Sequence, residues 1–176
     1  MATPLLPGLP GFPELSTLGS CAAIHKLVPL APDGDYVLFT GKTLLGVYCY
    51  DMAGAPREYL NLADTGGDAN FSQYTAGGAS PGTNVRTSFT KLRIDPATLT
   101  VDINDLTFAT STGRLQHSSV TRGPQSPFVS TMPYGVGMSC TTLPDGTANI
   151  DLRGTPFTIA DTFTVRAFAG SGSATL

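Results

Sequence analysis

This chain contains three cysteines and two histidines, the residue types whose side chains form disulfides or bind a metal such as zinc. Cys21 lies in the block SC-AAIHKLVP and Cys49 in the block GVYCYDM, with PDGDYVLF between them. A disulfide between the two cysteines would tie a short helix to the first strands of a sheet. Two buried free thiols are the alternative. We expect Cys140, the odd cysteine, to be a free and partly buried thiol, with an intermolecular disulfide and a nucleophile as the alternatives.

A metal site is the second chemistry to consider. Zinc would need His25, His117 and Cys140 together with an acidic residue, but these lie in distant segments and their spacing matches no zinc motif. Calcium would need oxygen ligands, which cluster in two turns, although Asp and Asn also favour turns for conformational reasons. We expect no cofactor and keep zinc or calcium as the alternative. The acidic ligand candidates are Asp64, Asp68, Asp102 and Asp105.

Two pairs of opposite charge have a spacing that places both members on one strand face. These pairs are Arg93 with Asp95 and Asp151 with Arg153. Each pair could present charge to a ligand, but ion pairing between neighbouring strands is the preferred interpretation. The tripeptide starting at Asn70, Asn-Phe-Ser, fits the acceptor pattern for N-glycosylation.

Composition limits the elements that can position these residues. The chain has 176 residues with 20 Gly and 14 Pro, which indicates one domain of short strands joined by many turns. A formal charge of −3 supplies no basic field, so we expect no nucleic-acid partner. No apolar run approaches the roughly 20 residues of a membrane-spanning helix.

The pattern along the chain predicts a mostly β fold, with one or two twisted antiparallel sheets, a short N-terminal helix and long loops. Hydroxyl residues precede the helix, which starts at Cys21 and is stopped by Pro29. We expect a proline-rich arm at 1–15, a β domain at 16–169 and a flexible tail at 170–176. The predicted strands are 36–40, 44–50, 85–95, 99–103, 106–109, 148–153 and two segments within 157–168, and the predicted long loops are 63–83 and 111–133.

Eight sequence blocks carry a resemblance to a known family. The chain resembles the GON domain from about Ser20 to about Phe168, and its opening as far as Met52 is also similar to fibrinogen-related domains. In order, the blocks are SC, DGDYVLF, GVYCYDM, EYLNL, FTKLRIDPATLTV, DLTFA, YGVGMSC and NIDLRGTPF.

The resemblance implies a secreted or extracellular protein, because GON domains end some ADAMTS-type zinc metalloproteases and occur in other secreted proteins, including bacterial ones. It also favours the Cys21–Cys49 disulfide over free thiols. In relatives a second cysteine lies near the position of Cys140, and 141–146 contains none. The protease activity is not transferred, because this chain has no HExxH zinc motif.

These observations predict a non-catalytic recognition or accessory module. Its partner would be an extracellular protein or glycan surface, or other domains of its parent protein. A zinc hydrolase or a metallopeptidase-associated domain is the alternative, and a purely structural domain is the third hypothesis. The sequence leaves the oligomeric state open. Aromatic residues expected to contact the partner are Phe71, Tyr74, Phe128 and Tyr134.

Overall fold

The computed structural model describes residues 18–117, 128–141 and 146–158, and the backbone alone of 165–168 and 171–174. The predicted arm at 1–15 lies outside these ranges, and so does part of the segment 157–168 in which two strands are predicted. The described chain is mostly β with a short helix near its N-terminus, which confirms the predicted fold class. Its elements are α1 (Cys21–Leu27), β1 (Gly34–Phe39), β2 (Leu44–Tyr50), β3 (Arg57–Asn61), β4 (Phe71–Thr75), β5 (Val85–Phe89), β6 (Lys91–Asp95), β7 (Thr100–Asp102), β8 (Ala109–Thr112), β9 (Leu115–Gln116), β10 (Phe128–Val129), β11 (Gly137–Ser139), β12 (Thr147–Asn149), β13 (Val165–Phe168) and β14 (Ser171–Ala174).

Contacts divide the chain into two compact units. The first contains the chain up to Leu60 together with Arg93–Val101, and the second contains Asn61–Leu92 and the chain from Asp102 onwards. Among the described residues, no helix has the length and apolar character needed to cross a membrane.

Helix α1 begins where its sequence supplies a hydroxyl cap. The Ser20 side chain accepts a hydrogen bond from the backbone N–H of Ala23 at 3.1 Å, and Ser20 itself is extended with φ −157°. This satisfies one of the N–H groups that a helix leaves unpaired at its start. The helix ends at Leu27, two residues before Pro29. Its start and its stop match the sequence prediction.

The first unit is built on the hairpin of β1 and β2, which lies at one end of a five-stranded sheet of order β1-β2-β3-β6-β7. The two strands are antiparallel, with Phe39 opposite Leu44 and Val37 opposite Gly46. Side chains alternate between the two sheet faces, so Leu38 and Leu45 are buried on the inner face. Strand β2 has the bounds that the sequence predicts.

A disulfide joins Cys21 of α1 to Cys49 of β2, with the two Cα atoms 5.6 Å apart. This confirms the predicted bridge. Both cysteines and Ile24 of the helix are fully buried, so the helix covers the inner face of the hairpin with an apolar surface. The bridge therefore lies where helix and sheet meet, inside the first unit.

A buried glutamate completes this junction. Glu58 lies opposite Cys49 in the β2–β3 ladder, and its Oε1 accepts the backbone N–H of Cys21 at 2.8 Å. Its other oxygen, Oε2, pairs with the Arg93 guanidinium at 3.0 Å. A carboxylate at a helix N-terminus is favoured by the unpaired N–H groups there. Glu58 thus links the helix start to two strands of the sheet.

We predict that Glu58→Gln lowers the free energy of unfolding by about 2 kcal/mol, because the amide keeps an acceptor for Cys21 but leaves Arg93 without its ion pair. Urea unfolding followed by circular dichroism measures the change. Arg57→Gln is the matched control, since the Arg57–Asp51 pair is exposed and 3.9 Å apart, and should cost less than about 0.5 kcal/mol. Equal effects of the two variants would contradict the role assigned to Glu58.

The second unit is organised around β4. This strand belongs to a seven-stranded sheet of order β13-β14-β11-β4-β5-β8, in which β12 also pairs with β4. Strand β5 runs antiparallel along one edge of β4, whereas β12 is antiparallel to it and β11 is parallel to it. Three strands therefore pair with β4, and two of them, β11 and β12, come from a part of the chain more than sixty residues away. The predicted set of antiparallel sheets thus includes one parallel pair.

Strand β4 lies inside the segment 63–83 that the sequence predicts to be a loop. It differs from a typical central strand because its buried positions include a polar residue, Ser72, whose Oγ accepts the backbone N–H of Val136 at 3.2 Å. The surrounding glycines favoured the prediction of a loop. The strand could not be predicted from its own residues, because a buried polar residue in a strand depends on a hydrogen-bond partner that is distant in sequence.

Other boundaries differ from the prediction for the same type of reason. The single strand expected at 85–95 is divided at Thr90 into β5 and β6, which belong to different sheets. The backbone N–H of Thr90 donates to Phe108 and its carbonyl accepts from Leu62, so this residue pairs outside both strands. Part of the expected flexible tail, Ser171–Ala174, forms β14. In the expected loop from 111 to 133, β9 pairs with β10, and residues 118–127 lie outside the described ranges.

Candidate functional site

The outer surface of the β1–β2 hairpin exposes large apolar side chains. Val37, Phe39 and Leu44 have exposed fractions of 40%, 43% and 58%. Val37 and Phe39 are two positions apart on β1, and Leu44 lies directly opposite Phe39 on β2, so the three share one face. We call this surface the hairpin face. Three exposed apolar side chains at neighbouring positions on one face form a patch, unlike single exposed leucines, which are common.

Gly46 makes the middle of the hairpin face shallow. It lies opposite Val37, and a Cβ atom added to Gly46 would have no other atom within 4 Å. The space beside Val37 is therefore open. A partner side chain could enter it without displacing any group of the hairpin.

Aromatic and cationic residues continue the same sheet face beyond the hairpin. Tyr50 lies opposite Arg57 in the β2–β3 ladder, and the Arg57 guanidinium is 5.7 Å from the centre of the Tyr50 ring. Tyr50 also packs edge-on against Tyr59, with ring centres 6.0 Å apart. The apolar patch therefore has a margin of tyrosine and arginine, the residue types that are enriched in protein interfaces.

The four aromatic residues predicted to contact a partner occupy different environments. Phe71, Tyr74 and Tyr134 are buried, and Phe89 and Tyr134 pack edge-on with ring centres 5.1 Å apart. These three predicted residues contribute to the core of the second unit in this structure. Phe128 is exposed, with the Arg114 guanidinium 4.0 Å from its ring centre. Only Phe128 of the four presents a large surface to a partner.

Arg93 and Asp95, the first predicted charge pair, bind different partners. Arg93 forms an ion pair with Glu58 on the neighbouring strand. Pairing between neighbouring strands was expected, but Glu58 was not among the residues that the sequence indicated. Asp95 instead accepts the backbone N–H groups of Ala97 and Thr98, and these hydrogen bonds lower the pKa of its carboxyl. It closes the turn after β6.

Asp151 and Arg153 do contact one another. The Arg153 guanidinium binds both oxygens of Asp151 and also reaches Asp64, one of the calcium candidates, at 2.5 Å. The hydrogen bonds from Arg153 lower the pKa of Asp151 to about 2. Because the folded-state pKa lies below the ordinary value, this pair stabilises the fold above about pH 4, and that contribution is lost as the pH falls towards 2.

Asn70 is the centre of a buried polar network beside this pair. Its amide nitrogen donates to the backbone carbonyls of Asp64 and Asp151 at 2.7 and 3.0 Å. Its oxygen accepts from the Tyr134 hydroxyl at 2.6 Å and from the backbone N–H of Asp151 at 2.9 Å. Burial and the nearby Asp151 carboxylate raise the pKa of Tyr134, so its hydroxyl remains a donor. The Asn149 side chain accepts the backbone N–H of Asn70 at 3.0 Å.

This network explains two sequence features. Asn70 has the left-handed φ of 49° that asparagine tolerates better than most residues. Its side-chain nitrogen is fully used inside the fold, so the glycosylation pattern at this position is not accessible in the folded protein. Sequence reasoning missed Asn70 as a structural residue, and the asparagine between a glycine-rich turn and an aromatic residue was the available signal.

The remaining metal-ligand candidates are placed in turns and hydrogen bonds. Asp68 pairs with Arg86 at 3.1 Å, while Asp102 and Asp105 each accept a backbone N–H two residues ahead. His25 Nδ1 is buried without a hydrogen-bond partner, and His117 Nδ1 is 2.8 Å from a tyrosine hydroxyl. In the ranges that the structure describes, no three His, Cys, Asp or Glu side chains are grouped to hold a metal ion.

The hairpin face lies in the part of the chain that a comparison with family models recognises. Residues 18–84 match the GON domain. This match supports the resemblance carried by the blocks from SC to EYLNL, and the later blocks lie beyond it. Comparisons with curated proteins and with solved structures gave no match. A segment that matches the GON domain, together with a disulfide inside it, is consistent with an accessory module of a larger extracellular protein.

Proposed function

We propose that this chain is a non-catalytic extracellular accessory module that binds the surface of a partner protein through the hairpin face. The main evidence is that Val37, Phe39 and Leu44, each at least 40% exposed, lie on one face of a hairpin inside the segment that matches the GON domain. Burying an exposed valine, leucine or phenylalanine in an interface is worth about 1.5–3 kcal/mol each. Three such residues are enough to form the centre of a binding site.

The support behind the hairpin favours binding with little reorganisation. Cys49 anchors β2 to α1, and Leu38 and Leu45 are packed beneath the exposed residues. The side chains of the face therefore project from strands that are fixed before the partner arrives. Less conformational entropy is lost on binding, which raises affinity for a given contact area.

The chemistry of the face favours a protein over a glycan. Sugar rings usually require aromatic rings together with polar groups that hydrogen-bond their hydroxyls. Two of the three exposed side chains of the face, Val37 and Leu44, are aliphatic, and they complement an apolar patch on a protein. A glycan surface is therefore the competing outcome in the experiment that follows.

We predict that Leu44→Asp weakens binding to arrayed extracellular matrix proteins at least about tenfold, because it places a charge within the apolar contact surface. Gly46→Asp should act in the same way without removing any side chain, since its position is open. The matched control is Leu30→Asp, because Leu30 is 94% exposed and lies outside the hairpin face. Biolayer interferometry with the purified chain measures each affinity.

Three outcomes would contradict this proposal. They are equal binding by the Leu44→Asp and Leu30→Asp variants, binding confined to a parallel glycan array, and no binding to either array. Thermal unfolding of each variant shows whether a loss of binding reflects the surface or the fold, because exposed positions should change the unfolding temperature little.

A further inference from the structure

A second group of reactive side chains lies in the second unit, apart from the hairpin face. The Tyr74 hydroxyl is 2.8 Å from each of three side-chain atoms: Ser80 Oγ, His117 Nδ1 and Cys140 Sγ. Tyr74 and Ser80 are buried, whereas His117 and Cys140 are partly exposed. We call these four residues the thiol cluster. A partly exposed cysteine and a partly exposed histidine are thus joined through one buried phenol.

The hydrogen-bonding capacity of the phenol restricts how the cluster is protonated. A tyrosine hydroxyl has one proton to donate and can accept two hydrogen bonds. With neutral partners, His117 Nδ1 takes the phenol proton, while the Ser80 hydroxyl and the Cys140 thiol donate to the phenol oxygen. Each hydrogen bond then has one donor and one acceptor, and His117 carries its own proton on Nε2.

We propose that Cys140 is a reactive thiol whose proton passes through Tyr74 to His117, and that its substrate is a disulfide. In this step the Cys140 thiol gives its proton to the Tyr74 oxygen, and Tyr74 gives its own proton to His117 Nδ1. A thiolate and an imidazolium result, and the phenol is neutral before and after. All four hydrogen-bonding partners stay in place, because only the directions of two bonds are reversed.

The neutrality of the phenol is supported by its environment. Burial, together with the hydrogen bond to Cys140, raises the pKa of Tyr74 to about 12. The phenol therefore passes a proton on without becoming a stable anion at neutral pH. Its ring is also held in place, since Tyr74 packs in an apolar cluster with Val85, Leu115 and Met132. Ring centres of Tyr74 and His117 are 5.8 Å apart in an edge-on arrangement.

The reaction balances with the disulfide as the oxidant. The Cys140 thiolate attacks one sulfur of the disulfide, a new S–S bond forms at Sγ, and the original S–S bond breaks. The departing thiolate takes a proton from the imidazolium of His117 or from water. Cys140 is oxidised to a mixed disulfide and the departing sulfur is reduced to a thiol. Cys140 is a free cysteine, so its sulfur is available for this bond.

The test measures how fast the purified chain reacts with dithiobisnitrobenzoate, an aromatic disulfide whose departing thiolate absorbs visible light. At about pH 7 only a few per cent of an ordinary thiol is ionised, so a working relay should make the native chain react about tenfold faster than the same chain in denaturant. Intact mass should show one adduct per chain, and Cys140→Ser should abolish the reaction.

Variants distinguish a proton relay from simple exposure of the thiol. Tyr74→Phe keeps the ring but removes the proton path, and His117→Gln removes the base from a partly exposed position. Both should slow the native reaction about tenfold and leave the denatured rate unchanged. Thr112→Ala is the matched control, because it removes a hydroxyl at an exposed position outside the thiol cluster, and it should change the rate less than about twofold.

A native rate equal to the denatured rate would overturn the proposal. So would a faster reaction of the Tyr74→Phe or His117→Gln variants, because that result would show that these residues only shield the thiol. His117→Gln keeps the test valid if Tyr74→Phe fails to fold. The outcome is independent of the hairpin face, whose binding assay does not involve Cys140.

Discussion

Asn70→Ala is expected to lower the free energy of unfolding by about 4 kcal/mol, the largest loss we predict for a single substitution in this chain. The change leaves the buried Tyr134 hydroxyl and the backbone groups of Asp64 and Asp151 without partners. It also places alanine at a φ of 49°, where a Cβ atom is unfavourable. Urea unfolding measured by tyrosine fluorescence and by circular dichroism gives the value.

Two further variants separate the causes of this loss. Asn70→Gly relieves the backbone strain but restores no hydrogen bond, so it should still lower the free energy of unfolding by about 3 kcal/mol. Asn104→Ala is the control at an exposed asparagine and should cost less than about 0.5 kcal/mol. A cost for Asn70→Gly near that of the control would show that the polar network contributes little.

Removing the Cys21–Cys49 disulfide by a double alanine substitution is expected to lower the free energy of unfolding by about 3 to 4 kcal/mol. The bridge closes a loop of sequence separation 28, and its absence gives the unfolded chain more conformational freedom. The helix also loses its covalent attachment to the sheet beneath it. Thermal and urea unfolding of the purified variant measure the loss.

Reductant provides a matched comparison for this prediction. Wild-type protein treated with a strong phosphine reductant should lose as much stability as the double variant, and the double variant should not respond to reductant. Cys140→Ala is the cysteine control and should keep its sensitivity to reductant, because it retains the bridge. Wild-type stability that is unchanged by full reduction would contradict the structural role of the disulfide.

The elements predicted well from the sequence are those whose partners are close in the chain. The helix at Cys21 and the hairpin with Leu44–Tyr50 follow from a hydroxyl cap, two prolines and alternating apolar residues, all within about thirty positions. Strand β4 was missed because Ser72, and Asn70 just before the strand, form hydrogen bonds with groups more than sixty positions away. Local periodicity contains no information about such partners.

The residues of the candidate site were also predicted poorly where burial depends on distant parts of the chain. Aromatic residues in glycine-rich segments were predicted to be at the surface, but Phe71, Tyr74 and Tyr134 are buried. The exposed patch instead lies on the β1–β2 hairpin, where the sequence predicted no contact residue. Which face of a strand is covered depends on what packs against it, and here α1 covers only the face that carries Cys49.

The sequence by itself determined the fold class, the helix start and the first hairpin, because each depends on short-range geometry and residue type. The bridge from Cys21 to Cys49 was favoured by the family resemblance and is confirmed by the structure. Tertiary structure alone decided which apolar side chains stay exposed, that Asn70 holds together segments about eighty positions apart, and that Tyr74 joins His117 to Cys140. The physical reason is that burial and hydrogen bonding depend on distance in space. Chain folding sets that distance independently of distance along the sequence.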